Sequence, residues 1–414
     1  MSWLKEFVRR SFSPTSLSAP RLGPVKTSSA RLEEQIVPGY RPDIFFPIEL
    51  GKTYHDRYHV LSKLGYGVES TVWLARDTSR WAWLTPRYAA LKVLVHNFPN
   101  KDEAYHEYNI SRRIASADPS HAGARCVRTT LDAFELQGPH GQHVCLVYEP
   151  MRETLPTLEK RVGGRLSPGM VKELLKVLLR ALDYLHTRCH VVHTDIKKDN
   201  ILFCIRDMSI VDDLVRQEAQ DPSPRKLDGD YTIYTSRGFE GVKGLGAPKL
   251  ADFGLAVVQD GRLCSHSIQP DALRSPEVIL GIPWTYSVDI WNLGALAWEF
   301  LEMDPLFRGF DSAKRHYTPE SHLAEMAALL GHPPNGLLDR SDETRTYFTP
   351  DGAFRGTLPA RQALESRMRY TPDADKSGFA GFIARTLRWR PEERPSAAEL
   401  LRDPWIQSQP DFAA

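Results

Sequence analysis

The sequence predicts an α+β chain of two lobes, a small strand-rich lobe followed by a larger, mainly helical one. Three observations predict it. A chain of 414 residues carries more than one hydrophobic core usually takes, so two lobes are expected. Short runs of alternating apolar residues gather before about residue 151. Beyond that point apolar residues recur at helical spacing, or, at 290–300, in one long run bounded by Asp289 and Glu302. That run is interrupted by Asn292 and falls far short of the ~20 apolar residues that cross a bilayer, so it reads as a buried helix and no membrane partner is expected.

A formal charge of +1 gives no polyelectrolyte signature, which argues against direct nucleic-acid binding. Five scattered cysteines (Cys126, Cys145, Cys189, Cys204, Cys264) lack CxxC spacing and read as reduced thiols of an intracellular protein, in cytoplasm or nucleus. Residues 1–39 form a basic segment rich in Ser, Arg and Pro. With Trp3, Leu4, Phe7 and Val8 beside Arg9 and Arg10, it fits either a mitochondrial presequence or a disordered tail. The folded domain is expected over 58–408, starting as early as about Tyr40, with 409–414 as a tail.

In chain order, the alternation at 57–64 predicts a strand, and Leu64-Gly65-Tyr66-Gly67-Val68-Glu69-Ser70-Thr71-Val72 a strand, a turn and a second strand. Glycines without Cβ let backbone N–H groups approach phosphate oxygens, although a GxGxxS stretch alone is usually an ordinary hairpin. Strand 88–95 holds Lys92 among apolar residues, where a lysine either pairs with an anion or snorkels from an edge. Helical character at 102–114 offers Glu107 or Glu103 as that anion. Glu107 is preferred because Ile110 and Ile114 follow it at i+3 and i+7.

An apolar strand at 145–151 runs into Arg152 and Glu153. Ser167 and Pro168 then cap a helix whose stripe, Val171, Leu175, Leu178, Leu182 and Leu185, is core. The helix delivers the chain to His193-Thr194-Asp195-Ile196-Lys197-Lys198-Asp199-Asn200, answered later by Asp252-Phe253-Gly254. Asp195 can accept the proton of an attacking hydroxyl, and Lys197 can neutralise a moving phosphate. Asn200 and Asp252 are hard oxygen ligands suited to magnesium. Between the two motifs, the polar insertion 204–248 has mixed charge and five glycines, as in a loop that is functional or structureless.

This set, in this order, resembles the protein kinases over about residues 58–408. The resemblance implies a bilobal fold with N-lobe 58–148, hinge 149–152 and C-lobe 153–408. It implies ATP contacts from 64–72, Ala90, Lys92, Glu107, Glu149 and Met151, with Val72 over the adenine and Tyr148 as gatekeeper. Asp195 and Lys197 are then catalytic, and Asn200 and Asp252 hold Mg2+. Glu277, Asp289 and Arg394 support the loop, Glu277 and Arg394 as an ion pair. Residues 92, 107, 195, 200 and 252 are expected to converge on one ATP–magnesium pocket.

Lys197 after Asp-Ile favours serine and threonine substrates by the same resemblance. Threonine at 194, the insertion, Leu329-Leu330-Gly331-His332-Pro333-Pro334, Tyr58-His59-Val60 and Ser70-Thr71-Val72-Trp73-Leu74 are similar to the serine/arginine-rich-protein kinases of the CMGC group, in a divergent, fungal-type form. Thr194 replaces the arginine that couples a phosphorylated activation loop to the catalytic aspartate, so activity without loop phosphorylation is expected. That group docks arginine-rich segments on acids, and at two matching positions this chain has Ser321 and Ala328. Asp304, Glu320 and Glu325 remain among Arg308, Lys314 and Arg315, so long Arg-Ser repeats are expected to dock poorly. The partners expected are protein substrates of a monomeric enzyme. A catalytically weak scaffold and a small-molecule phosphotransferase rank lower, because neither needs the whole residue set. Glu69, an acid at the tip of the phosphate loop, is unfavourable there unless it faces solvent.

Overall fold

The apolar alternation that begins at residue 58 opens a six-stranded antiparallel sheet. Its strands are β1 (Thr53–Tyr54), β2 (Tyr58–Tyr66), β3 (Ser70–Asp77), β4 (Arg87–Leu94), β5 (Thr130–Gln137) and β6 (Gln142–Tyr148), in the order β1-β2-β3-β4-β6-β5. The structure is a computed structural model that describes residues 21–27, 29–79, 87–241 and 243–408. The apolar and basic start of segment 1–39, from Trp3 to Arg10, and the tail 409–414 lie outside the described residues.

β3 and β4 pair without interruption from Ser70 opposite Leu94 to Asp77 opposite Arg87. Period-two alternation therefore sorts their side chains onto two faces. Trp73, Ala75, Ala89, Leu91 and Val93 share one face with Val60, Cys145 and Val147. Leu74, Tyr88, Ala90 and Leu94 lie on the other, Ala90 and Leu94 with Val144, Leu146 and Tyr148. A sheet apolar on both faces needs cover on both.

The chain divides into two compact units, and the smaller one is wider than the expected N-lobe 58–148. It takes the described residues up to 108, then 130–153 and 204–246. It starts before residue 58 because Ile44, Phe45, Phe46 and Ile48 are buried and cover the sheet. The insertion is folded rather than structureless. It forms a helix, Ser209–Gln220, and a hairpin, Arg225–Asp228 with Tyr231–Tyr234. The insert helix places Ile210, Val211 and Leu214 against Leu74, Tyr88 and Phe239, and the hairpin adds Tyr231 and Ile233 to the cluster of Ile44, Phe45 and Val95. At roughly 1.5–3 kcal/mol for each large apolar side chain removed from water, this burial stabilises an ordered insert.

Part of the 1–39 segment is ordered as well. Lys26 N–H donates to the Arg225 carbonyl at 2.7 Å, and Glu34 is buried with its carboxylate on Lys63 and on the Tyr231 hydroxyl. A lysine with no exposed side chain survives only with such partners, here Glu34 directly and Glu33 at 3.5 Å.

The larger unit, 109–129, 154–203 and 247–408 of the described residues, is built on helices. Ser167 caps the first long one as the sequence predicts, its Oγ accepting from Met170 N at 3.3 Å. Helix Ser287–Glu302 is buried on nearly every side, which accounts for its predominantly apolar character. Gly294 lets it approach helix Asp373–Thr386, since a Cβ there would lie 2.1 Å from Thr386 Oγ1.

Candidate active site

The small unit positions one group of predicted residues. Gly67 N–H donates to Ser70 O at 2.8 Å and closes the turn between β2 and β3. Val68 and Glu69 stand exposed at its tip, so the Glu69 carboxylate faces solvent. A Cβ built on Gly65 would meet nothing within 4 Å, which leaves open space over the loop for a phosphate. Leu64, Val72 and Ala90 sit on the sheet face that carries Lys92. Thr71 departs from the expected nucleotide-contacting stretch. Alternation turns it to the opposite face, where it is buried and its hydroxyl accepts from the Trp73 indole at 2.9 Å.

Lys92 finds its anion: Nζ lies 2.7 Å from Glu107 Oε2. Glu107 opens helix His106–Ser116, whereas Glu103 is spent in a separate turn, its N–H on the Asn100 side chain at 2.9 Å. The Tyr148 hydroxyl donates to the second oxygen of Glu107, so the carboxylate is held at both ends. The register allows this, because Lys92 is opposite Leu146 and Ala90 opposite Tyr148 on adjacent strands. Beyond Tyr148, Glu149 is exposed and Met151 buried. Arg152 is then anchored inside the small unit by the Glu153 carboxylate and by insert carbonyls, Lys243 O at 3.1 Å and Glu240 O at 3.2 Å.

The large unit positions the other group. Asp289, fully buried, accepts from His193 N at 2.8 Å and Thr194 N at 3.0 Å, and Asn292 accepts from Ile196 N at 3.3 Å and donates to Ile196 O at 2.8 Å. These bonds fix a loop in which Thr194 has φ +69°, a left-handed conformation costly for a β-branched residue. The Asp195 side chain is 10% exposed, with Oδ2 taking Lys197 Nζ at 2.6 Å and Asn200 Nδ2 at 3.0 Å. Asn200 Nδ2 also reaches the Asp195 carbonyl at 2.8 Å, which turns its amide oxygen toward other ligands. Ala251 N donates to Asn200 O at 2.9 Å, setting Asp252 beside Asn200. His193 bridges both segments, Nδ1 accepting from Asp195 N at 3.3 Å and Nε2 donating to Ala251 O at 3.2 Å.

Asn200 and Asp252 offer two hard oxygen donors, and among the described residues no group of three or more His, Cys, Asp or Glu could hold a metal alone. A sparse oxygen set fits magnesium, which keeps several waters and takes its remaining ligands from phosphates. Glu277 and Arg394 form a bidentate pair at 2.6 and 2.7 Å with neither side chain exposed, the guanidinium stacked 5.0 Å over Trp291.

Sequence reasoning missed the staples of the segment after Asp252. Gln269, 7 % exposed, donates to Val288 O at 2.8 Å and accepts from Ser275 N at 2.9 Å. Arg274 donates to Ile268 O at 3.0 Å and Gln269 O at 3.1 Å, Trp284 to His266 O at 3.0 Å, and the Thr194 hydroxyl to Leu255 O at 2.7 Å. A glutamine inside a polar loop gives no sequence signal; only its φ of +69° and burial reveal it.

The model of the protein kinase domain matches residues 58–406 of this chain. A serine/threonine protein kinase of Aspergillus fumigatus is 39% identical over 415 residues, 98% of each chain. The serine/threonine-protein kinase SRPK of Physarum polycephalum is 29% identical over 404 residues, 92% of this chain and 93% of its own. Mouse SRSF protein kinase 3 is 24% identical over 532 aligned positions, 94% of this chain and 93% of its own.

Proposed function

The chain belongs to the protein kinase family and is an ATP-dependent serine/threonine protein kinase, and we propose the following division of labour among its residues. Lys92, oriented by Glu107, holds the α and β phosphates, while the loop 64–70, with Val72 and Ala90, covers the nucleotide. The backbone of Glu149 and Met151 receives the adenine. Asn200 and Asp252 hold magnesium, which when bound screens the phosphate charge. Asp195 takes the proton of a serine or threonine hydroxyl as that oxygen bonds to the γ-phosphorus and the bond to ADP breaks. Lys197 steadies Asp195 and faces the transferring group. The Lys92–Glu107 contact of 2.7 Å carries this reading, because an inactive scaffold has no use for it. Transfer of radiolabel from γ-labelled ATP to a serine-bearing protein is expected, and is expected to vanish in Asp195→Ala with nucleotide binding kept. Undiminished transfer by that variant would refute the assignment.

Activity without loop phosphorylation is part of the proposal. Gln269, Arg274 and Trp284 hold the segment through backbone carbonyls, Arg274 pairs with the Asp271 carboxylate at 2.8 Å, and Thr194 offers no cation for a phosphate. Phosphatase-treated enzyme should therefore keep its rate. The substrates proposed are serine-containing proteins that need not carry long Arg-Ser repeats. Asp304 is paired with Arg308 at 3.1 Å, and Glu325 accepts from Arg308 N at 2.6 Å and Gly309 N at 3.2 Å. Ala328 is buried, and Ser321 lies in the capped first turn of its helix. Five scattered cysteines without CxxC spacing support an intracellular location.

A further inference from the structure

Lys198 has no part in the scheme above, yet it is among the most thoroughly engaged lysines of the large unit. Its Nζ lies 2.9 and 3.2 Å from the two oxygens of Glu159 and 3.2 Å from the carbonyl of Glu299, and it sits 5.8 Å over the Phe300 ring. Glu159 belongs to helix Leu155–Arg161 and Glu299 to helix Ser287–Glu302, so three elements meet at one ammonium. The Lys198 side chain is 18% exposed and that of Glu159 14%, a recess rather than a surface pair. Burial pushes the Glu299 carboxyl up to about 7, Lys198 draws it back, and Glu159 adds to the rise. Without the lysine, two carboxylates would share a half-dry recess, an arrangement that demands a cation.

The position of this recess gives it meaning. Lys198 follows Asp195 by three residues, so its Cα lies within roughly 10 Å of the aspartate's, the span of about three residues of extended chain. A peptide whose serine reaches Asp195 thus brings its flanking side chains to the same neighbourhood.

We propose that Lys198 is a tethered internal cation that fills the acidic recess of Glu159 and Glu299, making it a specificity-determining residue that stops the enzyme selecting basic side chains next to the target serine. The inference deepens the kinase reading and rests on Asp195 being the catalytic base.

The test compares kcat/KM for a serine peptide with neutral flanks and for peptides with one arginine at each of the three positions on either side. In the native enzyme the arginine-to-neutral ratio is expected near one at every position. Lys198→Met keeps the aliphatic stem and removes the charge. It should raise the ratio at one or two positions by roughly tenfold or more, through KM, as a charge-assisted hydrogen bond forms. Adding Glu159→Gln should return the ratio toward one, and Lys198→Arg should behave as the native enzyme. An unchanged ratio in active Lys198→Met overturns the proposal. So does a tenfold arginine preference in the native enzyme that Glu159→Gln abolishes, a result that stands even if Lys198→Met fails to fold. A native enzyme that phosphorylates none of the peptides or proteins would instead strike at the kinase reading itself.

Discussion

The Tyr148 hydroxyl offers the sharpest probe of how the nucleotide lysine is held. Tyr148→Phe keeps the ring, which is 5% exposed and packed with Ala90, Leu94, Val144 and Leu146, so no cavity opens. What is lost is one hydrogen bond to one oxygen of Glu107, whose other oxygen stays 2.7 Å from Lys92. A hydrogen bond to a charged group contributes about 1.5–3 kcal/mol, and Glu107 is too buried for water to replace it freely. If that energy serves to orient Glu107, and through it Lys92, kcat/KM for ATP should fall roughly 10- to 100-fold. Steady-state rates at varied ATP measure this, with peptide saturating. The thermal midpoint should move far less than for a core truncation. A kcat/KM within twofold of the native value in a normally folded variant would show that Lys92 alone fixes Glu107, and the reasoning would be wrong.

Two further outcomes follow from buried charge. Glu277→Gln strands the Arg394 guanidinium where neither side chain is exposed, so about 3–5 kcal/mol of stability should go, with a fall in Tm of roughly 6–20 °C. Glu277→Gln with Arg394→Met should cost clearly less than the two single changes added together, and strict additivity in calorimetry would contradict this. Glu299 has its carboxyl raised from 4.5 to about 7 by burial, so the fold prefers it protonated. Its contribution is then complete below about pH 4.5 and is lost as pH rises through about 7. Glu299→Gln should flatten that decline between pH 5 and 8 in urea midpoints, and an equal decline in the variant would refute the assignment.

What could be read from residues alone follows the range of the interactions involved. Lys92 announced a partner because a lysine in an apolar strand is costly, and Glu107 could be chosen because helical spacing is local. The loop from His193 to Asn200 was legible for the same reason, its roles being packed into eight consecutive residues. Thr71 was assigned to the nucleotide along with its neighbours, although strand alternation already set its side chain on the other face. The insert was hidden differently. Ile210, Val211 and Leu214 have helical spacing, but their charged, glycine-rich surroundings masked it, and their partners Leu74 and Tyr88 lie more than a hundred positions away. Glu34 and Lys63 were illegible on principle, since each alone reads as a surface charge and only the fold brings them together.

The late arrival of the insert has a consequence for synthesis. β6 ends at Tyr148, but the helix and hairpin that cover the sheet close only when Tyr234 and Phe239 have been made. At roughly 5–20 residues per second, a nascent chain spends several seconds with Leu74 and Tyr88 not yet covered by the insert helix and Val95 without Tyr231 and Ile233. During those seconds it is a client for whatever shields hydrophobic strands at the ribosome exit, and codon changes that stretch the interval should lower soluble yield without altering a single amino acid.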